Sequence, residues 1–279
     1  MAMPFETASL AASGETVALR GDEAGAGPPI LLLHGLTATR RNVVQGSKHL
    51  LRRGYRLIGY DARGHGESER APHPGEYEYT DLARDLGFVL DELGLERPVL
   101  AGSSMGAATA MAYALEHPDQ IGALVQITPA YDGRPRAGHD QLEAWERLAD
   151  GLERGGIDGF VAAAGLEKLP ERWREAAQLA TRQRIGRNRD LQAVADAIRV
   201  VPGSRAFDGL DLLERLDLPT LVVATRDDAD PLHPLAVAEE YAERLPRGEL
   251  VVEDEGQSPL AWQGARVSRA IGDFLDRVL

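Results

Sequence analysis

The residues with the most to offer chemically are Gly102-Ser103-Ser104-Met105-Gly106. The apolar Val99-Leu100-Ala101 precedes this G-x-S-x-G run and an alanine-rich stretch follows it. That context predicts a strand, a sharp turn and a helix, with Ser104 held in a strained conformation at the turn. Small residues on either side let the backbone close around it. The serine oxygen then sits at a helix N-terminus, where the dipole and unpaired N–H groups favour negative charge. The competing reading is an ordinary tight turn without a reactive serine.

Two further segments carry chemistry-bearing residues at the ends of apolar runs. His34-Gly35-Leu36-Thr37 follows the run Ile30 to Leu33. A backbone N–H here can join that of Met105 in binding an oxyanion. On this reading Leu36 and Met105 donate through their backbones, and His34 orders the loop. Asp61-Ala62-Arg63-Gly64-His65-Gly66-Glu67-Ser68 follows a second run. The glycines flanking His65 ask for an unusual backbone path, and a loop-stabilising network is favoured there over catalysis.

The elements that must position these groups alternate along the chain. Short apolar runs at Ile30–Leu33, Tyr55–Tyr60, Pro98–Ala101, Ala123–Ile127, Pro219–Ala224 and 249–252 read as strands. Segments 42–53, 79–93, 104–117, 234–245 and 265–278 read as helices, with the Gly/Pro-rich 21–29 as a hairpin or loop. This alternation predicts an α/β fold, a mainly parallel sheet covered on both faces. Residues 131–205 show helical segments and no convincing strand. They read as an insertion over the C-terminal edge of the sheet, where such sheets bind ligands. Within it Tyr131, Trp145, Phe160 and Trp173 are either plain core or the wall of an apolar pocket. Arg134 and Arg136 are either solvated surface or partners of a substrate carboxylate.

Composition narrows the function classes. The 279 residues are 43% hydrophobic and 27% charged, enough to build a core. The net charge of −13 disfavours general binding to nucleic acid or anionic membranes. There is no cysteine, which removes disulfides and thiol chemistry and fits a cytoplasmic protein. The N-terminus lacks the basic and apolar regions of a secretory signal. Of the 31 basic residues, all but Lys48 and Lys168 are arginine, a bias that reads as genomic before functional.

The stretches HGLTATRRN, YDARGHGES and GSSMGAA occur in the order and spacing of the α/β-hydrolase fold family, which the chain resembles over nearly its whole length. The resemblance implies a mostly parallel, roughly eight-stranded sheet with helices on both faces. It also implies a core domain of residues 1–130 and 206–279 and a helical cap of 131–205. Ser104 would be the nucleophile, with an acid after a late strand and a histidine after the last strand. For the acid, the distance from the strand end favours Asp228, while the family's D-x-x-x-P spacing favours Asp230. Asp132 is a third candidate, because some members carry the acid there. At the histidine position stands Gln257, and no histidine occurs after His233. A carboxamide cannot accept and return the serine proton.

Three readings follow. In the first, His34, His65, His139 or His233 replaces the missing base, and the chain hydrolyses a small ester or related acyl substrate. In the second, the scaffold runs lyase, isomerase or oxygen chemistry in which Ser104 only donates a hydrogen bond and Gln257 orients the substrate. In the third, it is a catalytically inactive binder of a small ligand. Each expects a small-molecule partner, no metal and no organic cofactor.

Overall fold

The computed structural model describes residues 2–135, 138–226, 232–257, 262 and 264–279, with only the backbone of 139–141. Strands β1 (Met3–Leu10) and β2 (Thr16–Ala24) form an antiparallel hairpin at one edge of an eight-stranded sheet. The other strands are β3 (Pro29–Leu33), β4 (Arg56–Tyr60), β5 (Val99–Ser103), β6 (Ala123–Ile127), β7 (Thr220–Ala224) and β8 (Gly248–Val252). The spatial order is β1-β2-β4-β3-β5-β6-β7-β8, and β3 to β8 run parallel.

The central strands are continuous apolar runs because both their faces are covered. Along β3, Leu31 and Leu33 face one cluster while Ile30 and Leu32 face the other. Helices α2 (Tyr79–Glu92), α3 (Met105–Glu116) and α7 (Leu235–Arg244) pack on the first face through Leu82, Leu86, Met111 and Tyr241. Helices α1 (His49–Arg52) and α8 (Gly264–Val278) cover the second through Leu50, Val267, Ile271 and Phe274. Helix α2 starts on a reciprocal cap between Glu78 and Asp81, which satisfies two backbone donors that a helix start leaves open.

Between β6 and β7 lie α4 (His139–Ala163), α5 (Glu171–Ile185) and α6 (Leu191–Val200). Helix α4 is broken at Gly156, whose φ of 57° and ψ of −142° are open to glycine and costly for other residues. The kink lets Leu152 and Phe160 join Ile185, Val194 and Ile198 in a small core separate from the two sheet faces. No helix among the described residues is long and apolar enough to cross a membrane.

Two expectations from the sequence need correction. Residues 42–53 are not one helix; only His49–Arg52 is helical. Asn42 is occupied in bonds from the Thr39 amide and hydroxyl, and Gln45 and Gly46 take positive φ, so no helix can run through them. Strand β1 is an element that the apolar pattern does not announce. The segment 21–29 is partly strand, since β2 continues to Ala24.

Candidate active site

Register brings the chemical segments together. Leu33 at the end of β3 pairs with Gly102 of β5, and Ser103 pairs with Ile127 of β6. The Gly35–Thr37 loop and the turn at Ser104 therefore emerge side by side at the C-terminal edge of the sheet. Ser104 has φ 52° and ψ −111° and donates its N–H to Ile127 O at 3.0 Å. A backbone held outside the common wells costs roughly 1–3 kcal/mol and persists only when its surroundings enforce it. Enforcement here comes from packing backbone on backbone. A Cβ on Gly102 would lie 2.2 Å from Gly106 O, and one on Gly106 would lie 2.3 Å from Leu33 O.

The Ser104 hydroxyl lies 2.8 Å from Nε2 of His233, across 129 residues of sequence. His233 sits half-buried between β7 and the start of α7. Of the three substitute-base histidines whose side chains are described, this is the one found at Ser104. The ring nitrogens of His34 and His65 are occupied elsewhere. His34 donates from Nδ1 to Gly35 O (2.9 Å) and accepts at Nε2 from Ala62 N–H (2.9 Å). His65 donates from Nδ1 to Arg63 O (3.0 Å) and accepts at Nε2 from Thr37 N–H (3.3 Å). Burial holds both neutral, lowering the pKa of His34 and pushing that of His65 down to about 3. These rings join the loops after β3 and β4. His139 lies at the start of α4, where only the backbone is described.

The rest of the Asp61–Ser68 loop is a buried network. Asp61 accepts from the backbone N–H groups of Arg40 (2.8 Å) and Glu67 (3.0 Å) and pairs with the Arg40 guanidinium. Arg40 also reaches Asp22 and Glu67, both at 2.8 Å. Arg63, fully buried, forks onto Asp85 at 2.7 and 2.8 Å. Each buried charge is thus paired.

Leu36 and Met105 border the cavity beside Ser104. Met105 opens α3, so its N–H has no acceptor four residues back in the helix. In the facing loop, Thr37 N–H is taken by His65 and Ala38 N–H by Gly35 O. The cavity holds about 560 Å³. Its floor is Ser104, Met105, Leu36 and His233, and its apolar wall comes from Tyr131, Trp145, Leu148 and Phe160. Asp132, Arg134, Thr181 and Arg184 add polar groups.

The remaining residues singled out in the sequence fall differently. Asp132 is exposed at the cavity edge and accepts from Arg134 N–H at 3.3 Å. Asp228, Asp230 and Arg136 lie outside the described residues. Gln257 is half-buried beyond β8, where its Oε1 accepts from the Arg266 guanidinium, and it is not among the residues bordering the cavity. Trp173 is half-buried on α5 against Arg172, 5.5 Å from guanidinium carbon to ring centre. Thr181, Arg184 and Asn188 join the site without a motif to mark them. The signal available for them is Thr181 and Arg184 one helical turn apart beside the apolar Ile185.

A family model described as alpha/beta hydrolase fold matches residues 28–165. The chain is similar to the AB hydrolase superfamily protein YisY of Bacillus subtilis, 38% identical over 125 residues. That match covers 43% of this chain and 46% of the relative, so it spans about half the relative's length. It is similar also to the RutD protein of Rhizobium rhizogenes, 31% identical over 204 residues, 72% of this chain and 75% of that one. Among solved structures, a thermophilic esterase from Thermogutta terrifontis, with malate bound, superposes with a TM-score of 0.80. It is 29% identical, and the superposition covers 99% of both chains.

Proposed function

Taking as premise that the chain belongs to the α/β-hydrolase fold family, we propose that it is a serine hydrolase of a small ester or related acyl substrate, with His233 as its base. The observation that carries this reading is the 2.8 Å contact between His233 Nε2 and Ser104 Oγ on the floor of an apolar cavity. Nucleophile and base within hydrogen-bond reach are what acyl transfer asks for. The names of its relatives, which include an esterase and a carbamate hydrolase candidate, support acyl transfer to water as the reaction class.

In this mechanism the Ser104 hydroxyl passes its proton to His233 Nε2 as Oγ bonds to the acyl carbon. The carbonyl oxygen takes up negative charge facing the N–H groups of Leu36 and Met105. One such donor contributes about 10²–10³ in kcat in a preorganised site. Collapse breaks the bond to the leaving oxygen, which takes the proton from His233. Water then gives a proton to His233 and attacks the acyl-serine, and the proton returns to Ser104 as the acid leaves. The acid that orients His233 belongs to the Asp228–Asp230 segment in this reading. Residues 131–205 act as the cap, and 1–130 with 206–279 as the core.

Intact-mass analysis after exposure to a fluorophosphonate tests this reading. One adduct per chain is expected, absent in Ser104→Ala. A folded wild-type protein that takes up no label would overturn it.

A further inference from the structure

We propose that the preferred ester carries a carboxylate, which Arg184 and Arg134 grip within the cap; this rests on the Ser104 hydrolase reading above. Over the whole chain, acidic residues outnumber basic ones 44 to 31. Among the described residues bordering the cavity, the charged side chains besides His233 are Arg134, Arg184 and Asp132. Asp132 is turned in part toward its own loop, accepting from Arg134 N–H. Arginine in place of lysine means little in a chain so rich in arginine. The placement of these two is the informative part.

Arg184 is held at a fixed position relative to the reacting centre. It lies in the last turn of α5, one turn beyond Thr181, which also borders the cavity. Asn188 fastens the end of that helix to the loop carrying Leu36. Its Nδ2 donates to Thr37 O at 2.9 Å and to Ile185 O at 3.1 Å, while its Oδ1 accepts from Gly66 N–H at 2.8 Å. The Arg184 side chain is half-buried, with its Nε shielded from solvent. A guanidinium so placed, beside the wall of Trp145, Leu148 and Phe160, suits a ligand with an apolar middle and an anionic end.

The protein's net charge of −13 repels anions at long range. Salt at 0.15 M screens that repulsion beyond about 8 Å, whereas a partly buried pair is screened much less. A half-buried arginine can therefore hold an anion that the net charge disfavours at long range.

Two pairs matched in chain length test the proposal by pH-stat hydrolysis: monomethyl adipate against methyl hexanoate, and 4-acetoxybutanoate against butyl acetate. In at least one pair the carboxylate ester should have a kcat/KM about tenfold or more above its neutral partner, the scale of a charge-assisted hydrogen bond. Arg184→Gln should collapse that ratio toward one, Arg134→Gln should lower it, and Arg184→Lys should keep part of it. No preference in either pair, or a ratio unmoved by Arg184→Gln in protein with a normal melting transition, would overturn the proposal. A separate arm uses Ser104→Ala protein and thermal shift. Stabilisation by monomethyl adipate and not by methyl hexanoate, lost on adding Arg184→Gln, supports the carboxylate subsite even if no ester is turned over. Failure of the hydrolase reading would instead show as absent fluorophosphonate labelling with that stabilisation intact.

Discussion

His233→Gln is expected to lower kcat/KM for any ester the protein hydrolyses by about 10³-fold or more, with the melting temperature little changed. The side chain is half-buried rather than enclosed, so its replacement leaves no large void. A glutamine keeps the volume but has no proton to exchange at neutral pH. Ser104→Ala should cost a comparable factor. Because the two act as a unit, the double variant should be little worse than either single one. Additive losses would mean that the 2.8 Å contact is not a working nucleophile–base pair. Gln257→His introduced into the His233→Gln background is expected to give no rescue. Position 257 does not border the cavity and is engaged by Arg266. A rescue of orders of magnitude would return the base to the loop beyond β8.

The contrast between Gln257 and His233 shows where sequence reasoning stops. The G-x-S-x-G run at residues 102–106 can be placed on its turn because the constraint is local: apolar strand before, small residues around, helix after. The parallel strands are equally legible, since β3, β5, β6 and β7 are apolar runs buried on both faces. Strand β1 is not. At the sheet edge its buried positions are Thr7 and Ser9, so no apolar pattern marks it. The choice of base is a question of tertiary geometry. Four histidines can be named from the sequence, but no spacing rule says which ring has a nitrogen for Ser104. Packing narrows the choice, because His34 and His65 spend both nitrogens on backbone groups. Asp228 and Asp230 lie outside the described residues and stand as equal candidates for the acid, with Asp132 a third.

Those two buried rings should also make the protein acid-sensitive, in a window set by their protonation. The fold lowers the pKa of both, that of His65 to about 3, from an unfolded value near 6.5. Above pH 6.5 both rings are neutral in either state, and their contribution is independent of pH. As pH falls below 6.5 the unfolded chain binds protons that the folded one refuses, so stability drops with pH. The slope is bounded by about 1.4 kcal/mol per pH unit for each group that titrates only in the unfolded chain. Urea unfolding between pH 7.5 and 5 measures it. Glu67 and Glu76, whose pKa values are lowered below the usual 4.5, add their own acid loss only beneath that range. His65→Gln should lower stability at pH 7.5 through the lost ring bonds and yet flatten the dependence below 6.5. An unchanged slope in that variant would mean that His65 is not held neutral. Protonating His65 also removes the acceptor for Thr37 N–H, one residue from Leu36. Acid should therefore also loosen the Gly35–Thr37 loop beside Ser104.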